Sequence, residues 1–141
     1  MREILFRGKT KCGMWVYGSL ILAGSFCCIL ESEENVHPMD YPYLDDELGT
    51  IDGHAAPVIP ETVGQFTGLT DKNGKKIFEG DVVQCDKWEF SKNLMCGYVC
   101  FNNGCFDIQD IKSQNRPAID TCFNIKVVGN IHDNPELLEV E

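Results

Sequence analysis

Between Cys12 and Asp71 the chain contains no lysine or arginine at all. The same stretch holds ten acids: Glu31, Glu33, Glu34, Asp40, Asp45, Asp46, Glu47, Asp52, Glu61 and Asp71. The remaining residues carry twelve bases and twelve acids, so the whole formal charge of −10 resides in that one stretch. Affinity for nucleic acid comes largely from Lys and Arg neutralising phosphates and releasing counterions. Non-specific DNA or RNA binding by the whole chain is therefore argued against, and only a local basic cluster at Lys72, Lys75 and Lys76 is left for it. DNA mimicry would need carboxylates spread over a rigid face at phosphate-like intervals, and acids crowded into a loop fit that poorly. Solvation of loops is the plain reading of the acid excess.

Histidine is scarce, with His37, His54 and His132 only, and they form no two-histidine metal motif. A nucleophile elbow and a phosphate-binding glycine loop are also missing. No catalytic residue, cofactor or metal ligand is assigned on this reading, and enzymatic activity is not expected. The acids Asp40, Asp45, Asp46, Glu47 and Asp52, with His37 and His54 nearby, would suit a hard cation, but they lie in a proline-rich loop without fixed geometry. Asp71-Lys72-Asn73-Gly74 lacks the calcium-loop spacing, because its glycine comes too early after the first aspartate.

No long apolar run is uninterrupted. The best, Met14–Leu30, follows Arg2, Arg7, Lys9 and Lys11 and superficially resembles an export signal. Gly18, Ser19, Gly24 and Ser25 break it too often for a spanning helix of about 20 apolar residues. It reads instead as two strands, one with Trp15, Val16 and Tyr17 and one over 26–30, turning near Ala23-Gly24. The expected location is cytoplasmic, with no membrane contact.

Cysteine, in contrast, is plentiful: Cys12, Cys27, Cys28, Cys85, Cys96, Cys100, Cys105 and Cys122. A chain of 141 residues buries about 68% of its unfolded surface and needs no disulfide staples. Several of the cysteines stand inside apolar runs, so reduced thiols used as small hydrophobes are expected. Cys96 and Cys100 lie on one expected strand, about 13 Å apart at ~3.3 Å per residue, too far to share a zinc ion. Cys27 and Cys28 are adjacent and face opposite ways.

The remaining pattern is β. Residues 3–7 suggest a short strand. Residues 31–60 are acidic and rich in Pro and Gly, and read as a long loop with a helical turn near Leu44–Leu48. Strand signals return from Val63. Asn73-Gly74 suggests a type I′ hairpin turn, and a second turn falls at Gly80-Asp81. Strands are expected over 82–85, 97–101, 105–108 and 123–131, with Asn102-Asn103-Gly104 joining two of them. Pro135 suits the first position of a terminal helical turn. Of Tyr98 and Phe101, three apart on one strand, one is expected in the core. Trp88 and Phe90, flanked by Lys87 and Lys92 in a polar loop, form a candidate binding rim.

Several segments together resemble the YopX-like family of phage and prophage proteins. They are the opening Met1 to Gly8, then Trp15-Val-Tyr-Gly-Ser-Leu20, the long motif Pro60 to Val83, and Val127 to Leu138. The resemblance implies a mainly β protein, with an N-terminal β element plus acidic loop over 1–59 and an SH3-like barrel over 60–141. It lends no catalytic residues and implies a phage product of unknown biochemical role in the host bacterial cell. The motif positions Trp15, Tyr17, Gly64, Gln65, Thr67, Gly68, Asp71, Asn73, Gly74, Glu79, Gly80, Asp81, Gly129, Asn130, Asn134 and Pro135 are expected to be architectural. A non-catalytic protein-interaction module is the function expected, with an unknown phage or host protein as partner, or a second copy meeting it through exposed strand edges.

Overall fold

Alternating apolar residues and short turn sequences build antiparallel strands throughout. The computed structural model describes residues 2–31, 55–86 and 94–139. Among them are ten strands: β1 (Phe6–Lys9), β2 (Trp15–Ala23), β3 (Phe26–Glu31), β4 (Ala55–Pro57), β5 (Ile59–Thr70), β6 (Lys76–Phe78), β7 (Asp81–Asp86), β8 (Leu94–Asn102), β9 (Cys105–Asp110) and β10 (Phe123–Asn130). The described residues include two 3₁₀ turns, Ile119–Thr121 and Pro135–Leu138, the second with proline at its start as expected. No helix among the described residues is long and apolar enough to cross a membrane. The helical turn expected near Leu44–Leu48 lies outside the described residues.

The chain divides into two compact units, Met1–Gln65 and Phe66–Glu141, the boundary falling inside β5. In the first unit the strands lie in the order β4-β3-β2-β1-β5. Val16, Ile29, Ala56 and Val58 are its buried centre, with Phe6, Leu20, Cys27 and Val63 packed around them. Two sequence expectations change here. The first strand starts at Phe6 and not near residue 3, and the segment read as loop up to residue 60 contains β4 and the start of β5. Pro57 hid β4, but β4 is an edge strand paired only with β3, where a missing N–H on the outer side costs no ladder bond.

The second unit is an antiparallel sheet in the order β10-β7-β8-β9, together with the hairpin made by the end of β5 and β6. As paired, the sheet is open and does not close into the barrel expected from the sequence. Its core is Ile77, Val83, Cys85, Met95, Val99, Ile108, Ile119 and Ile125, all but fully buried, with Phe106, Cys122 and Val127 against it. Gly97 on β8 is a packing requirement, since a Cβ there would stand 2.3 Å from the Gln109 carbonyl oxygen of β9. Of Tyr98 and Phe101 neither is core. Tyr98 is half-buried, and Phe101 lies past the end of the core, 54% exposed, with its ring edge-on to Phe106 at 5.1 Å.

The turns also correct one expectation. A type I′ turn needs positive φ at both central residues. Around Asn73-Gly74 only Gly74 has it, at 82°, whereas at Asn103-Gly104 both residues do, at 50° and 83°. The type I′ dihedral signature therefore belongs to the β8–β9 hairpin. The loop after β5 is a wider turn, closed by bonds from Gly74 N to the Asp71 carbonyl (2.9 Å) and from Asp71 N to the Lys75 carbonyl (2.7 Å). Asp71 itself selects that shape, as its side chain shows.

Candidate functional site

Most of the polar motif residues in the second unit turn out to bond backbone. Asp71 ends the β5 segment and is 7% exposed. Its Oδ1 accepts the amides of Asn73 and Lys75, each at 2.9 Å, and its Oδ2 accepts the Val127 amide of β10 at 3.0 Å. Burial pushes the carboxyl pKa up, but the three backbone N–H groups, with the charge of Lys75, outweigh it and hold the group below its ordinary range. The Lys72 amide donates to the Ile125 carbonyl at 2.8 Å, so the loop lies along the outer edge of β10.

Asp81, 1% exposed, accepts the Phe78 amide at 2.7 Å and fixes the turn through Glu79 and Gly80. Gly80 then donates to the Val99 carbonyl and accepts from the Ile131 amide. Thr67 donates its hydroxyl to the Ile77 carbonyl at 2.8 Å, and Gly68 (φ 87°) sits in the irregular stretch of the β5–β6 pairing. At the far end, Asn130 Oδ1 accepts the amides of His132 and Asp133, and Asn134 Oδ1 accepts the Asn130 amide at 3.2 Å. Gly129 is required there, since a Cβ would stand 2.5 Å from Asn134 Oδ1. Pro135 starts the 3₁₀ turn that follows.

In the first unit, the Arg7 guanidinium lies 4.8 Å from the Trp15 ring centre and Lys9 Nζ lies 5.9 Å from it. Tyr17 and Gly64 flank Arg7 on its two neighbouring strands, and Gln65 is opposite Phe6. The candidate rim of Lys87, Trp88, Phe90 and Lys92 lies outside the described residues, as does the acidic cluster between Asp40 and Asp52. Among the described residues no group of three His, Cys, Asp or Glu is arranged to hold a metal ion.

Sequence reasoning did not find a concave surface in the second unit. A hollow of about 450 Å³ is lined by Leu69, Thr70, Asp71 and Lys72 on one side and by Ile119, Asp120, Cys122, Asn124 and Ile125 on the other. It joins the motif loop to the 3₁₀ turn before β10. Apolar side chains, one lysine and one exposed aspartate share its wall, a mixture suited to a peptide or protein surface.

Cys122 in that wall is hydrogen-bonded to Cys85 of β7. Cys85 is fully buried, and donating its S–H to Cys122, together with burial, pushes its own pKa strongly up. Cys122 is lowered, first because it receives that bond and further because the Thr121 hydroxyl points to it, against the opposing effect of burial. No spacing rule connects residues 85 and 122. The pairing of β10 with β7 brings them together, and that register contains irregularities.

The comparisons with known proteins agree with one another. The family model described as YopX protein matches residues 6–139. Protein EF1440 from Enterococcus faecalis, a crystal structure, is 22% identical with a TM-score of 0.55, over 99% of this chain and 100% of that one. The X-ray structure of protein yopX from Bacillus subtilis is 17% identical with a TM-score of 0.54, over 100% of this chain and 99% of that one. No curated protein matches the chain. These two likenesses establish the shared fold, and the family model extends across almost the whole sequence: the chain belongs to the YopX family.

Proposed function

We propose that this protein is a phage- or prophage-encoded, cytoplasmic, non-catalytic interaction module, whose partner docks in the hollow beside the Asp71 loop. One observation carries the reading. The motif side chains that might have done chemistry, Asp71, Asp81, Asn130 and Asn134, accept backbone amides inside the fold. The hollow they help to shape offers contact surface, with Leu69 39% exposed at its wall and Phe123 38% exposed next to Cys122.

The second unit also supports an SH3-like reading. A three-stranded meander, β7-β8-β9, is followed by a 3₁₀ turn and a last strand that returns beside β7. Recognition by side chains fits this unit better than strand addition. On the outer side of β9, Ile108 and Asp110 donate to the Pro117 and Asn115 carbonyls, and on the outer side of β10, Ile125 and Val127 bond the Asp71 loop. Both edges are thereby blunted against pairing with another chain.

An affinity pull-down of tagged full chain from bacterial lysate, with and without nuclease, tests the proposal. A nuclease-resistant partner lost with Leu69→Asp is expected. Partners that vanish on nuclease treatment would overturn it in favour of nucleic-acid binding. For that second reading the relevant observation is the exposed trio Lys72, Lys75 and Lys76 on the β5–β6 hairpin, with Lys76 Nζ 5.2 Å from the Phe66 ring centre.

A further inference from the structure

We propose that Cys122 is a covalent modification site for peroxides, with Cys85 as the thiol that resolves the modified sulfur into an internal disulfide. The inference stands apart from the docking reading, because it rests on the sulfur pair and needs no partner.

Three geometric observations carry it. The two sulfurs are in hydrogen-bond contact across adjacent strands, Cys85 on β7 and Cys122 at the entry to β10. Cys122 is half-buried in the wall of an open hollow, so a small oxidant can reach it, whereas Cys85 behind it is fully buried. The backbone between them can also give. Cys122 precedes the strand, Asn124 has φ 54°, and the β10–β7 register shifts between Phe123 and Lys126. That irregular stretch is where a hydrogen-bonded contact can shorten to an S–S bond of about 2.05 Å without breaking a regular ladder.

The division of roles follows from the direction of the bond. Cys85 keeps its proton and donates it, which stabilises the Cys122 thiolate, and the thiolate is the nucleophile. Cys122 Sγ attacks one peroxide oxygen. The S–O bond forms, the O–O bond breaks, and the departing hydroxide takes up a proton to leave as water. Cys85 Sγ then attacks the sulfenic sulfur of Cys122. The S–S bond forms, the S–O bond breaks, and a second water leaves carrying the Cys85 proton. Two thiols lose two electrons in all, and one peroxide is reduced to two waters.

The other cysteines are differently placed. Cys105 is exposed, but its thiol donates to Asp107 Oδ1 at 3.3 Å, and that bond pushes its pKa up. Cys27, Cys28, Cys96 and Cys100 are all raised, with burial as the leading cause. Cys12 is exposed and provides an internal reference for an unassisted thiol.

The test is limited oxidation of reduced full chain with hydrogen peroxide, followed by peptide mapping without reductant. The expected first product links the peptides carrying Cys85 and Cys122, with a mass lower by two hydrogens. In Cys85→Ala the resolving thiol is gone, and a sulfenic acid should accumulate at Cys122, captured by a dimedone-type probe. Under limiting iodoacetamide, Cys122 of the folded wild type should react about threefold faster than in urea-unfolded chain for each unit its pKa is lowered. Oxidation falling first on Cys12 or Cys105, with no link between Cys85 and Cys122, would overturn the proposal. The wild-type mapping decides this even if Cys85→Ala folds poorly.

Discussion

Replacing Asp71 by asparagine keeps the shape of the side chain but exchanges one acceptor for a donor. The remaining oxygen can still serve Asn73 and Lys75, while the new NH₂ faces the Val127 amide that the second carboxylate oxygen had accepted at 3.0 Å. A bond to a charged group is worth about 1.5–3 kcal/mol, and a half-buried amide facing another donor puts the expected loss near the top of that range. Alanine removes all three bonds. Asn73 and Lys75 are exposed, so water takes over their amides at modest cost, and the total is about 3–4 kcal/mol. Urea titration of full chain, read at second-unit resonances, measures both. Native-state hydrogen exchange adds a local readout, because a loss of 2 kcal/mol should expose the Val127 amide about 30-fold more often. Acid supplies an independent check. The folded carboxyl titrates below its ordinary 3.8, so between the two values the unfolded chain binds more protons. Its contribution is fully present above the ordinary value and is lost as pH falls through the folded one. Wild type and Asp71→Asn should therefore approach each other at low pH. A stability for Asp71→Ala within about 0.5 kcal/mol of wild type, or a constant gap between wild type and Asp71→Asn down to low pH, would refute the assignment of Asp71 as the tie between loop and strand.

Two glycines should respond unequally to alanine. At Gly97 the new Cβ meets a backbone carbonyl at 2.3 Å, so β8 and β9 must separate, and a loss of about 3 kcal/mol or more is expected by thermal or urea unfolding. At Gly129 the obstacles are side-chain atoms of Asn134 and Leu137, which can swing aside, and about 1–2 kcal/mol is expected, with the 3₁₀ turn after Asn134 losing exchange protection first. Ile108→Ala, at a site with no exposure in the second core, should cost about 2–5 kcal/mol, whereas Leu94→Ala, 74% exposed, should stay within about 0.5 kcal/mol. Gly74→Ala forces an alanine to φ 82° and should cost about 1–2 kcal/mol by the same urea titration.

What could be read in advance was whatever a local pattern controls. The β2–β3 hairpin was legible because Gly24-Ser25 interrupts two apolar runs, and the β8–β9 hairpin because Asn103-Gly104 is short and flanked by strand formers. The same dipeptide logic failed at Asn73-Gly74. A buried carboxylate two residues earlier satisfies the Asn73 and Lys75 amides in a geometry that leaves Gly74 alone with positive φ. That outcome depends on Val127, far along the chain, holding the other oxygen of Asp71, and no window of neighbouring residues contains the information. β4 was invisible for a related reason: its prolines are tolerable only because it is an edge strand, which is a property of the sheet and not of the segment.

The candidate site shows the same division more sharply. Family text such as Asp71-Lys-Asn-Gly and Gly129-Asn is legible because turns demand particular residues, yet the groups it specifies are spent on backbone amides. The features with chemical potential, the hollow and the Cys85–Cys122 contact, come from register between strands that meet late in the sequence. A register carrying bulges cannot be counted off from spacing, so two cysteines 37 positions apart give no sign that their sulfurs touch. This is why the fold and family of the chain follow from its conspicuous motif, while any activity must be sought in residues that the motif only positions.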